Sequence, residues 1–142
     1  MQIKFDEYIE SLEESETLVV VESSFSNESI FDEFLQSSMF GTLHFINVDF
    51  TEVDLTGSNL VNCRFEKCKF NDVTFRKCNF WDSTFSNCKF ENCNMTRIDF
   101  CNGEFENCNF INVNLRASSF SGVEFSETEF SDDTDLELVS FY

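Results

Sequence analysis

Residues 61–100 read VNCRFEKCKF NDVTFRKCNF WDSTFSNCKF ENCNMTRIDF, and a large apolar residue returns at every fifth position: Phe65, Phe70, Phe75, Phe80, Phe85, Phe90, Met95 and Phe100. The register runs without exception from Phe40 to Phe130, through Phe45, Phe50, Leu55 and Leu60 on one side and Phe105, Phe110, Leu115, Phe120 and Phe125 on the other. Fifteen of the 20 phenylalanines fall on it, so the repeat has to be settled before any local element is assigned. A period of five fits neither regular element. On an α-helix, successive fifth positions turn by roughly 140° and form no stripe. On a flat strand, an odd spacing alternates faces. The pattern closes only if the chain bends once per repeat and returns each apolar residue to a common axis, which is a parallel β-solenoid.

The position two residues earlier, on the same side of a strand, repeats the message. It holds Leu43, Val48, Val53, Ser58, Cys63, Cys68, Val73, Cys78, Ser83, Cys88, Cys93, Ile98, Gly103, Cys108, Val113, Ser118, Val123 and Thr128, with no charge among them. Every charged residue between 41 and 130 sits at one of the other three positions. Two inward and three outward positions per five residues make a complete inside/outside code.

Units such as Val48-Asp49-Phe50-Thr51-Glu52, Val53-Asp54-Leu55-Thr56-Gly57, Cys78-Asn79-Phe80 and Val113-Asn114-Leu115 resemble the pentapeptide-repeat family, whose consensus is Ala-Asp/Asn-Leu/Phe-x-x. The resemblance covers about two thirds of the chain, and the units hold phase with no insertion. It implies an all-β fold, a right-handed quadrilateral parallel β-helix with twenty residues per coil. Cys and Val replace the family's Ala, which implies a tighter or slightly swollen interior in the same fold. Periodicity alone admits either count of sides: a twenty-residue coil stacks Cys68, Cys88 and Cys108, and a fifteen-residue coil stacks Cys63, Cys78, Cys93 and Cys108. The resemblance implies four.

The chain of 142 residues reads as one domain in three parts. Residues 1–40 form an N-terminal capping segment with one or two short helices. The first covers 1–17, where Phe5, Tyr8, Ile9 and Leu12 fall at helical spacing and cover the open end of the solenoid. Residues 22–40 admit two readings. Phe25, Ile30 and Leu35 keep the five-residue phase but place Glu28 and Glu33 inward; a helix over Ser29–Ser37, with Ser29 and Asp32 as its capping box, avoids that and is preferred. Residues 41–130 form about four and a half coils, a rod ~22 Å long. Residues 131–142 leave the phase, and the apolar tail Leu136, Leu138, Val139, Phe141 and Tyr142 is expected to be a cap or, as the C-terminal end is in some members of the resembled family, a homodimer contact.

No signal peptide, membrane-crossing run or targeting motif is recognisable, which gives a cytoplasmic expectation. Enzymatic chemistry is not expected: His44, the single histidine, is outward with no nucleophile near it, no glycine-rich phosphate loop occurs, and large side chains fill the interior. No catalytic residue, cofactor or metal is assigned. A third reading, a redox or metal protein using the cysteine ladder, meets a straight column of inward thiols where zinc requires tetrahedral convergence. Cys101 alone faces outward and is the thiol expected to react.

The net charge of −18 raises a different possibility, since some quinolone-resistance members of the resembled family are acidic rods that imitate duplex DNA on type II topoisomerases such as DNA gyrase. The charge is unevenly placed. Residues 1–40 carry −9 and 131–142 carry −4, whereas 61–100 hold seven bases against five acids. Direct nucleic-acid binding is not expected, because no side concentrates base with aromatics. One outward column stands apart: Val61, Trp81 and Cys101, twenty residues apart, put the single tryptophan between apolar neighbours and form the candidate partner-binding patch. The expected function is a non-catalytic, rigid protein-interaction or scaffold surface with an unidentified protein partner; a gyrase-binding DNA mimic is the alternative.

Overall fold

The computed structural model describes residues 4, 5, 7, 23–31 and 39–142. Its strands are short and strictly alternate between two parallel sheets: β1 (Ser23–Ser26), β2 (Ser29–Phe31), β3 (Leu43–Ile46), β4 (Asp49–Thr51), β5 (Arg64–Glu66), β6 (Lys69–Asn71), β7 (Thr84–Ser86), β8 (Lys89–Glu91), β9 (Glu104–Glu106), β10 (Asn109–Ile111), β11 (Glu124–Ser126) and β12 (Glu129–Phe130). The odd strands stack in order as the first ladder and the even strands as the second. Each residue pairs with the one twenty further on, as in Phe45↔Phe65 and Phe50↔Phe70. Single parallel bridges build two more ladders at the same spacing, the third through Asp54, Thr74, Asn94 and Asn114, the fourth through Met39, Asn59, Asn79, Asp99 and Ser119. The protein is a parallel β-solenoid whose coil holds twenty residues.

The bend that the period of five demands has a specific backbone origin. From Thr42 to Glu127 every fifth residue, two after each large apolar one, has φ between 48° and 73°. That left-handed conformation turns the chain, and Gly or Asn adopts it at least cost. Asn fills seven of these eighteen positions and Gly57 and Gly122 two more. Where the turn is tightest, the residue three on donates back, as Ser58 N–H does to the Leu55 carbonyl (2.9 Å) and Cys78 N–H to the Phe75 carbonyl (3.0 Å), the arrangement of a type II turn. Stacked turn asparagines also bond to one another: Asn112 Nδ2 donates to Asn92 Oδ1 at 2.8 Å and Asn47 Nδ2 to Asn27 Oδ1 at 2.8 Å.

The core is a set of ring stacks at the coil spacing. On the first ladder the centroids of Phe45, Phe65, Phe85 and Phe105 follow one another at 5.0, 4.7 and 4.8 Å, and on the second Phe50, Phe70, Phe90 and Phe110 at 4.8, 4.8 and 4.7 Å. The rings repeat at this distance because parallel strands do. The smaller inward residues satisfy buried carbonyls across coils. Ser83 Oγ donates to the Leu60 carbonyl (2.7 Å), and Cys63 Sγ takes the equivalent place on the Phe40 carbonyl (2.9 Å). This shared slot explains why Cys and Ser interchange on one register. The void left beside Phe5, Phe40 and Phe45 measures about 10 Å³, room for a single water.

Both ends depart from the sequence expectations. Phe5 and Glu7 have helical backbone, and Phe5 is buried against Phe25, Phe40 and Phe45 with centroids at 5.2, 6.0 and 5.7 Å; Tyr8, Ile9 and Leu12 of the expected cap lie outside the described residues. The preferred helix over Ser29–Ser37 is corrected at its start: Ser29–Phe31 is strand β2, with Ile30 buried and paired to Phe50. The repeat phase therefore reaches back to Phe25. Glu28, whose burial argued against this, is only half-buried in the first coil, and its Oε1 accepts the Phe5 backbone N–H at 3.1 Å. Residues 32–38 lie outside the described residues. The tail does not leave the solenoid either. One extra residue shifts the pairing from twenty to twenty-one, giving Asn114↔Asp135 and Ser119↔Ser140. Leu136 and Phe141 thereby resume the third and fourth ladders, and the Phe141 ring stacks on Phe120 at 5.5 Å.

Candidate functional site

The fourth ladder positions the column read from the sequence. Asn62 N–H donates to the Trp81 carbonyl (2.8 Å) and Asp82 N–H to the Cys101 carbonyl (3.0 Å), which places Val61, Trp81 and Cys101 on successive coils. Each is held by the side chain two residues before it: Asn59 Oδ1 accepts from Val61 N–H, Asn79 Oδ1 from Trp81 N–H and Asp99 Oδ1 from Cys101 N–H, at 3.1, 3.0 and 2.9 Å. These Asx turns fix the backbone under the patch. Trp81 is 47% exposed, and Val61 and Cys101 are half-buried beside it. Among the described residues, Asp82 and Asp99 are the only charged side chains at the outward positions of this ladder.

The residue shift at the C-terminus extends this column. Ser140 stacks on Ser119, so Tyr142 follows Ser121 above Cys101, and Tyr142 is almost fully exposed. Around it lies the last described coil. Phe125, Leu136, Leu138 and Phe141 are exposed and Val123, Phe130 and Val139 are half-buried. The fourth ladder thus carries both the tryptophan column and, beyond Ser121, the Phe141–Tyr142 end of the apolar tail. The missing signal was the extra residue between Phe130 and Leu136, which reads as a loss of phase until pairing shows that phase resumes.

The thiols divide as their register predicts. All seven are free; six are buried and Cys101 is half-exposed. Burial pushes the Cys63, Cys78 and Cys93 thiols from 9.0 up to about 12. Cys88 is raised further, first by burial and then by the Cys108 and Cys68 thiols above and below it. His44 is less solvated than its outward position implied, with Nε2 at 2.8 Å from Glu66 Oε2 on the next coil. Base gathers on one side of the solenoid, without aromatic neighbours: the middle coils of the third ladder carry Arg76, Lys77, Arg97 and Arg116. Among the described residues, no group of His, Cys, Asp and Glu side chains is arranged to hold a metal ion, and no helix is long and apolar enough to cross a membrane.

A parallel solenoid whose interior is packed solid and whose every fifth residue turns the chain is the architecture of a tandem five-residue repeat protein. The chain belongs to the pentapeptide repeat family, whose repeat-region model matches residues 58–141. Among solved structures it is similar to a trypsin-treated form of QnrB1, a plasmid-mediated fluoroquinolone resistance protein, at 19% identity and a TM-score of 0.51, over 84% of this chain and 68% of that one. It is also similar to the pentapeptide repeat protein Rfr23 from the cyanobacterium Cyanothece 51142, at 14% identity and a TM-score of 0.47, over 79% of this chain and 90% of that one. No curated protein matches it in sequence.

Proposed function

We propose that the protein is a non-catalytic scaffold that offers a rigid surface to a protein partner, its four ladders closing a right-handed quadrilateral helix as parallel crossovers favour. The observation that carries this reading is Trp81: a large aromatic side chain, 47% exposed, on a rigid backbone, with Val61 and Cys101 on the coils either side of it. Aromatic residues in such settings supply much of the binding energy at protein interfaces. The packed interior supports a non-catalytic role, because substrate sites are concave and this solenoid keeps its volume for side chains. The segment before the first strand serves as the N-terminal cap and 131–142 as the C-terminal contact, and the cytoplasm is the proposed location.

The exposed Phe125, Leu136, Leu138, Phe141 and Tyr142 at the C-terminal end support a second copy as one partner, joined end to end through the last coil. Light scattering tests it: a dimer is expected for the intact chain and a monomer after deletion of 136–142, and a monomeric intact chain refutes it. For the Trp81 patch, Trp81→Ala is expected to abolish recovery of the partner with unchanged thermal unfolding; undiminished recovery or loss of folding refutes that role. The acidic net charge supports a DNA-mimic reading directed at DNA gyrase, which the four bases of the third ladder oppose. A supercoiling assay decides it, since a mimic inhibits or protects gyrase at micromolar protein and a scaffold of the kind proposed here leaves it unchanged.

A further inference from the structure

The outward positions of the third ladder differ in charge from the rest of the molecule. Its three middle coils present Thr74, Arg76 and Lys77, then Asn94, Thr96 and Arg97, then Asn114, Arg116 and Ala117. Four cations stand there without one acid, in a chain whose net charge is −18, and all four are exposed. Backbone bonds fix their arrangement. Lys77 N–H donates to the Thr96 carbonyl and Arg97 N–H to the Arg116 carbonyl, each at 3.0 Å. Lys77 and Arg97 therefore stack in one column, and Arg76 and Arg116 flank Thr96 in the next. At ~4.8 Å per coil the cations cover ~10 Å of the axis. Arg116 Nη1 is paired with Glu137 Oε2 at 2.5 Å. Arg76, Lys77 and Arg97 have no ion pair among the described residues. They repel one another across adjoining coils, and a bound anion removes that repulsion.

A surface groove of about 380 Å³ runs along the edge between this ladder and the second, lined by Asn92, Asn94, Asn112 and Asn114 and, on the last coil, by Asp133 and Asp135. Thr96 N–H and Arg116 N–H already occupy the side-chain carbonyl oxygens of Asn94 and Asn114, both at 3.1 Å. The Nδ2 groups of these exposed amides make no hydrogen bond among the described residues and remain as donors. Cations beside amide donors make a surface that accepts carboxylates and carbonyls together.

We propose that the third ladder docks a short, extended acidic peptide segment of a partner protein, its carboxylates on Arg76, Lys77 and Arg97 and its backbone carbonyls on the Asn94 and Asn114 amides. Three observations favour a peptide over a nucleic acid. The amide donors match peptide carbonyls. The basic patch ends after three coils, at Asp54 below and at Asp135 and Glu137 above, whereas a nucleic-acid strand carries charge past both ends. No aromatic side chain stands at the outward positions of this ladder to stack a base. The ladder is a different one from that of Trp81, so failure here leaves the scaffold reading standing.

Fluorescence anisotropy with fluorescein-labelled decaglutamate tests the proposal on the full chain. Saturable binding is expected at about 20 mM salt and is weakened at least about tenfold at about 300 mM. The variant Arg76→Gln, Lys77→Gln, Arg97→Gln is expected to bind at least about tenfold more weakly. Lys67→Gln, Lys69→Gln, Lys89→Gln removes the same charge from the first and second ladders and is expected to bind within about twofold of the unaltered protein. All six positions are exposed, so thermal unfolding should match in every variant. Absence of saturable binding, equal loss in both triple variants, or tighter binding of labelled decathymidylate than of decaglutamate each overturns it.

Discussion

The buried cysteines make the solenoid sensitive to alkali in a way that can be calculated. Cys63, Cys78 and Cys93 lie on the inward register, at most 3% exposed, and burial raises each from 9.0 to about 12. In the native state they keep protons that the unfolded chain releases. Their contribution is therefore complete below pH 9 and is lost as pH rises from 9 towards 12. Between pH 8 and pH 10 each unfolded thiol gains about 1.4 kcal/mol by ionising while its native counterpart gains almost nothing, so the three together remove about 4 kcal/mol. Serine is a suited control, because Ser83 and Ser118 occupy the same register and donate to the Leu60 and Met95 carbonyls as Cys63 does to that of Phe40. Urea unfolding under reducing conditions at the two pH values would measure it. The Cys63→Ser, Cys78→Ser, Cys93→Ser variant should lose about 4 kcal/mol less than the unaltered protein over this interval, and an equal loss in both would refute the assignment of inward, protonated thiols.

The same geometry bears on three further measurements. A thiol reagent on native protein should modify Cys101 rapidly and the six buried thiols only after denaturant; two or more fast thiols would contradict the inward register. Ala117, exposed at φ 60°, should gain roughly 1 kcal/mol on replacement by glycine, read as a raised urea midpoint, and a lowered midpoint would show that the turn does not need that conformation. Phe90→Ala, which breaks a stack between Phe70 and Phe110 at 4.8 and 4.7 Å, should cost about 3–5 kcal/mol. Phe125→Ala at the exposed end should cost well under half of that, and equal costs would mean that the end is covered in solution.

Much of the architecture was legible because the period of five is a geometric constraint. A large inward residue at each fifth position and a small one two before it leave no alternative to a chain that bends once per repeat, and Phe45, Phe65 and Phe85 stack accordingly. The turn-forming residue was equally available in the sequence: Asn at 47, 62, 87, 92, 102, 107 and 112, with Gly57 and Gly122, marks the left-handed position throughout. The start of the repeats was harder to read. A helix over Ser29–Ser37, opened by the Ser29 and Asp32 capping box, competed with the repeat phase, and Glu28 weighed against the phase until its contact with the Phe5 backbone was known.

By itself the sequence determined which residues face the core and which thiol is outward. Those are one-dimensional properties, fixed by which residue follows which. The tertiary structure decided what adjoins what. It set the coil at twenty residues, so that Trp81 lies between Val61 and Cys101 and so that four bases scattered over 41 residues converge on one ladder. It also absorbed one extra residue before Asp135 and returned Leu136, Phe141 and Tyr142 to register. Adjacency across coils depends on the number of sides per turn, and a five-residue period, compatible with three sides or four, carries no information about that number.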